Sequence, residues 1–93
     1  MKHVPRISEA EWRVMKPLWA KSPQTGNQIV QSLSGVIQWS PKTVRTLLTR
    51  LVRKKALGCK RRGREYHYYP LVKREECANV RIATYLSSLV PRV

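Results

Sequence analysis

No aspartate occurs in this 93-residue sequence, and its acids are five glutamates: Glu9, Glu11, Glu65, Glu75 and Glu76. From Trp12 to Arg64 there is no carboxylate at all. Chemistry that needs two acids facing one another therefore has no material in the middle of the chain. There is no phosphate-binding loop motif and no nucleophile–base arrangement, and His3 and His67 have no obvious acid or nucleophile beside them. An enzyme is not expected, and no catalytic residue is assigned. Cysteine is scarce as well. Cys59 and Cys77 stand apart with no C-x-x-C pair, and adding His67 gives a spacing that matches no compact zinc pattern. No metal and no cofactor is expected. Long apolar runs are missing too: "MKHVPRISEAEW" has no uninterrupted apolar core, and nothing approaches membrane-spanning length. The expectation is a cytoplasmic chain with reduced thiols and no membrane partner.

What is present is positive charge. Nineteen Lys and Arg give a formal net charge of +14, while a hydrophobic content of 42% is ordinary for a folded domain. A chain of this length builds one small core, and no internal repeat or low-complexity segment divides it. A field of one sign repels itself, so a polyanion is the natural partner, nucleic acid first. A membrane surface or an acidic protein would also satisfy the charge.

The punctuation of the chain predicts its elements. Ser8 followed by Glu11 fits a capping box, with Ile7 and Trp12 placed as a hydrophobic staple, so a first helix starts in "ISEAEWRVMKPLWAK". Val14, Met15, Leu18 and Trp19 recur at helical spacing, and Pro17 should kink or loosen the helix without ending it. "SPQTG" reads as a turn, with Thr25 capping a short helix "GNQIVQSLS" and Gly35 suited to the left-handed position that ends helices. Ser40 at the N-cap and Pro41 at the first helical position open a third helix, expected from Pro41 to about Lys55. After Leu57 the period shortens. "LGCKRRGREYHYYP" reads as a two-stranded hairpin turning at Gly63, with Tyr66 and Tyr68 alternating against His67 and Tyr69 and Pro70 ending it. A last helix follows in "VKREECANVRIATYLSSLV", striped by Ile82, Tyr85, Leu86 and Leu89. The tryptophans and tyrosines are read as core, with Tyr69 held apart on the other strand face.

The third helix carries the functional signal. On a wheel of about 100° per residue, Val44, Leu47, Leu48 and Leu51 gather on one side; Lys42, Arg45, Thr46, Thr49, Arg50 and Arg53 gather on the other. A helix fits the DNA major groove, where arginine pairs with guanine acceptors and threonine touches the thymine methyl. Lys60, Arg61, Arg62 and Arg64 crowd around the hairpin's glycine turn, where phosphates would relieve their repulsion. The fold class expected is mainly α with a small β-hairpin: a winged helix-turn-helix with a three-helix core, a wing and a C-terminal helix.

These residues carry a resemblance. "ISEAEWRVMKPLWA", "WSPKTVRTLLTRLVRKKAL" and "GREYHYYPLV" resemble the bacterial penicillinase-repressor family, over Ile7 to Val72. The resemblance implies a winged-helix DNA-binding domain over residues 1–72, with 73–93 opening a linker and dimerisation region largely absent here. It implies a homodimer on a double-stranded inverted-repeat operator built around TACA/TGTA, repressing β-lactamase and other antibiotic-resistance genes, or copper-export genes in the copper-responsive branch. By the same resemblance Lys42, Thr43, Arg45 and Thr46 meet base edges, Arg61, Arg62 and Arg64 form the wing, and Ser40, Thr49, Arg50 and Arg53 hold phosphates. Lys55 departs from the family's frequent glycine, so the helix is expected to end less sharply. Penicillin-responsive relatives are inactivated by proteolysis beyond this region, which implies an upstream sensor protease. Isolated chains are expected to be monomeric or to pair weakly. Charge alone leaves a different class open, a basic RNA- or ribosome-associated domain.

Overall fold

The computed structural model describes residues 4–78, within which the chain runs helix, short strand, helix, helix, strand, strand. The first helix, α1, spans Glu9–Ala20 and begins as its capping chemistry dictates. The Glu11 N–H donates to Ser8 Oγ at 3.2 Å, and the Ser8 N–H donates to Glu11 Oε1 at 2.9 Å. Ile7 packs against the core cluster to which Trp12 belongs, a placement compatible with a staple. The helix survives Pro17 and continues to Ala20. Two donors near its end, the Lys21 N–H and Gln24 Nε2, share the Pro17 carbonyl at 2.9 and 2.8 Å.

Gln24–Thr25 was expected to be part of a turn and is instead a strand, β1, too short for any alternation to show in the sequence. It pairs antiparallel with the last strand, Gln24 opposite Tyr68 and Thr25 opposite His67. The anticipated two-stranded hairpin is therefore a three-stranded sheet of order β1-β3-β2, where β2 is Leu57–Arg62 and β3 is Glu65–Pro70. Thr25 then caps α2, Gly26–Ser34, through a second reciprocal box with Gln28. Gly35 does not take the left-handed conformation foreseen for it. Its φ of −82° and ψ of −10° keep it right-handed, and the Val36 and Ile37 N–H groups both return to the Leu33 carbonyl. That closes the helix without a positive φ.

The third helix, α3, is Pro41–Arg53, with Ser40 Oγ accepting the Thr43 N–H. It stops short of Lys55 and stops sharply, contrary to the expectation for a non-glycine there. Lys55 itself adopts φ 64°. Its N–H donates to the Val52 carbonyl and the Ala56 N–H reaches back to Leu51, which is the paired closure normally built on glycine. Gly63 supplies the other positive φ, 62°, at the hairpin turn.

Val44, Leu47, Leu48 and Leu51 of α3 lie buried against Val14, Met15 and Leu18 of α1 and Ile29 and Leu33 of α2, with Leu57 and Val72 closing the sheet side. Trp12 and Trp19 meet edge to face at 5.1 Å, and the Trp19 indole N–H donates to the Val72 carbonyl at 3.0 Å. Among the described residues one charged side chain is buried. Glu11 is 1% exposed, and its Oε1 accepts Lys54 Nζ at 2.5 Å; Lys54 also donates to the Arg6 carbonyl. Glu11 Oε2 has no hydrogen-bond partner among the described residues. Residues 74–78 are helical; the stripe from Ile82 to Leu89 lies outside the described residues.

Two outcomes follow from these ends and caps. A non-glycine residue in the left-handed region costs about 1–2 kcal/mol, and glycine gives part of that back in unfolded-state entropy. Lys55→Gly should therefore raise stability by about 0.5–1 kcal/mol in urea unfolding. Burial works against the Glu11 charge, but hydrogen bonds from Lys54 and Ser8 outweigh it and hold the carboxyl below the ordinary glutamate range. A depressed folded-state value stabilises above the unfolded value, and that stability is lost as pH falls through the folded one. Glu11→Gln should thus be less stable than the parent at neutral pH, with the gap narrowing on acidification when both are melted across pH.

Candidate nucleic-acid interface

The seam that buries one side of α3 fixes what the other side shows. Lys42, Arg45, Thr46, Thr49, Arg50 and Arg53 are all exposed, as are Ser40 and Thr43 at the start of the helix. The side chains singled out from the sequence as one face are brought together as one face. Their donors are not equally available. Thr46 Oγ1 donates to the Lys42 carbonyl and Thr49 Oγ1 to the Arg45 carbonyl, both at 3.0 Å. Each threonine therefore offers a methyl and acceptor lone pairs, having turned its hydrogen inward. A phosphate role for Thr49 would require that bond to open. Ser40 and Thr43 differ: their hydroxyls share one hydrogen bond at 3.1 Å, leaving one hydroxyl hydrogen of the pair to point elsewhere.

The sheet register sorts the wing. Cross-strand partners share a face, so Leu57 with Pro70, Cys59 with Tyr68 and Arg61 with Tyr66 lie on the side that begins in the core. Gly58 with Tyr69, Lys60 with His67 and Arg62 with Glu65 lie on the opposite side. The four basic residues expected to act as one wing are thus divided: Arg61 is on the core-side face, Lys60 and Arg62 on the other, and Arg64 at the turn. A cleft of about 330 Å³ runs between the wing and α3, lined by Arg45 and Thr49, by Arg64, Glu65, Tyr66 and Tyr68, and by Thr25, Gly26 and Asn27 at the start of α2. Burial, then neighbouring Cys59 and Tyr66, push the Tyr68 hydroxyl above its ordinary range against the pull of Arg45. It stays a neutral phenol beside Arg45.

Two features escaped the sequence reading. The start of α2 joins this cleft because β1 pins it beside β3, and the strand responsible is two residues long. Tyr66, expected in the core, is 52% exposed. Its position near the turn, away from the core end of the strand, is the signal that could have found it. Trp12 is buried, and Trp19, Trp39 and Tyr68 pack against the core as expected. Among the described residues no group of three His, Cys, Asp or Glu could hold a metal, and no helix is long and apolar enough to cross a membrane.

Three helices carrying an antiparallel sheet, with a basic helix face beside a basic hairpin, define a winged helix-turn-helix domain. The family description "Penicillinase repressor" matches residues 7–92, and the chain belongs to that family. It is 38% identical over 87 residues to the penicillinase repressor of Bacillus licheniformis, covering 94% of this chain and 68% of that protein. It is 40% identical over 70 residues to the methicillin resistance regulatory protein MecI of Mammaliicoccus sciuri, covering 75% of this chain and 57% of the relative. It spans, in other words, little more than half the length of that regulator. The solution structure of the B. licheniformis BlaI monomeric form in complex with the blaP half-operator has a TM-score of 0.69 at 41% identity, over 82% of this chain and 93% of that one.

The wing's shape depends on a close approach. A Cβ at Gly58 would lie 2.3 Å from the Tyr69 ring, which covers that glycine across the strands. Lys60 Nζ sits 6.0 Å from the same ring. Gly58→Ala must swing the ring away, and should lower stability by on the order of 1 kcal/mol in thermal or urea unfolding.

Proposed function

We propose that this chain binds duplex DNA and serves as the operator-reading domain of a transcriptional repressor, with α3 in the major groove and the hairpin on the flanking backbone. The observation that carries the reading is the exposed, carboxylate-free face of α3, held outward by a buried seam on the same helix. BlaI, whose fold this chain shares, is described in complex with a half-operator, which supports duplex DNA as the ligand class. Lys42, Thr43, Arg45 and Thr46 are proposed to meet base edges. Ser40, Arg50 and Arg53, with Lys60, Arg61, Arg62 and Arg64 of the wing, are proposed to meet phosphates, which set position without reading sequence.

The target we propose is an inverted repeat of TACA/TGTA type controlling β-lactam resistance genes in the bacterial cytoplasm. A two-fold operator asks for two copies of the chain, one per half-site. A sensor protease that ends repression belongs to the same proposal, as a property of the whole protein and not of the surface described.

Arg45→Ala combined with Thr46→Ala should erase most of the preference for that repeat over random duplex, while leaving much of the non-specific binding. Competition in fluorescence anisotropy reads this directly, and unchanged preference would refute the assignment of α3. With about four to eight phosphates contacted per dimer, log K should fall against log salt with a slope near −0.9 per contact. An RNA hairpin of equal length, titrated alongside, should bind more weakly; a preference for it would favour the RNA-associated alternative.

A further inference from the structure

The wing holds one arginine differently from the others. Arg61 Nε donates to the Gly63 carbonyl at 3.1 Å, and its guanidinium carbon lies 6.0 Å from the centre of the Tyr66 ring. The two residues face each other directly across β2 and β3, on the sheet face that Cys59 and Tyr68 continue toward α3. Tyr66 is half exposed and lines the cleft that also holds Arg45 and Thr49. Tyr66 stands outside the buried core, so burial alone does not account for a large aromatic there. What it does cover is a cation.

We infer that Tyr66 is a positioning residue, whose ring and the Gly63 carbonyl together hold the Arg61 guanidinium ready for a DNA phosphate on the α3 side of the wing. This rests on the duplex-DNA reading above and extends it. A free arginine at a loop tip loses rotamer freedom on binding, on the order of 0.5–1.5 kcal/mol for a long side chain. Arg61 has one of its N–H groups committed to Gly63 and its plane attracted to Tyr66, so part of that ordering exists before DNA arrives. The remaining N–H groups stay available for a phosphate. Lys60 and Arg62, on the opposite face, have no share in this arrangement.

The test is a double-mutant cycle on the full chain, using a duplex that carries the proposed inverted repeat. Arg61→Ala, Tyr66→Leu and the pair together are measured by anisotropy at several salt concentrations, with Tyr66→Phe as the conservative control. Tyr66→Leu should weaken binding about two- to fivefold, the reach of an exposed cation–π contact. Tyr66→Phe should bind like the parent, because the ring and not the hydroxyl faces the cation. In the Arg61→Ala background Tyr66→Leu should have no further effect. Arg61→Ala should reduce the salt slope by about 0.9 per chain, whereas Tyr66→Leu should leave the slope intact, since the phosphate contact is loosened and not removed. Thermal midpoints should stay level, which separates positioning from a folding defect. Equal losses from Tyr66→Leu in both backgrounds, or no loss in either, would overturn the inference while leaving α3's role standing. Absence of duplex binding by the parent chain would overturn both.

Discussion

Burial of Val44, Leu47, Leu48 and Leu51 along one line of α3 is the constraint from which the rest of the molecule takes its orientation. All four lie in one core cluster with residues of α1 and α2, and truncating a leucine so placed typically costs about 2–5 kcal/mol, a large part of a small domain's stability. With that line fixed, the helix has no freedom to rotate its cations inward. The repulsion among them is the lesser quantity: exposed like charges interact weakly in water and are screened by salt. Apolar packing therefore decides where the charges go, and the charges decide what can approach.

The ends of α3 sharpen this placement. At its start, Ser40 and Pro41 set the first turn. At its finish, Lys55 accepts a strained backbone so that Ala56 and Leu57 drop straight into the core and lead into β2. The ion pair of Glu11 with Lys54 ties the start of α1 to the finish of α3. Among the described residues Glu11 is the buried carboxylate of a strongly basic chain, and it neutralises a lysine that does not belong to the exposed face.

Much of this was legible in the residues because it is local. Ser8 with Glu11, Thr25, and Ser40 with Pro41 announce helix starts through hydrogen bonds a few positions apart, and Gly63 announces its turn. The wheel of α3 alone separated its two sides correctly. What stayed hidden is set by contacts distant in sequence. β1 exists because β3 offers it an edge, and two residues have no periodicity to betray them. Gly35 was assigned a conformation that glycine permits but this loop does not use, while Lys55 adopted one that its side chain disfavours because the paired closure and the buried Ala56 require it. The wing looked like one cluster of cations in sequence; strand alternation puts Arg61 and Arg62 on opposite faces, and the register of β2 against β3, a long-range contact, decides which of them meets Tyr66. Tyr66 was misjudged for the same reason. A tyrosine in a strand reads as buried until it is seen to lie toward the turn, outside the core.

The inward turn of the Thr46 and Thr49 hydroxyl hydrogens divides labour along the exposed helix. In its body, every proton offered outward is borne by a lysine or an arginine, while the threonines present only methyl bulk and lone pairs. Donated protons and apolar contour are therefore carried by different side chains along the same face. Counterions compete with the first and scarcely touch the second, so ionic strength acts on the charged part of the surface while its threonine contour stays unchanged.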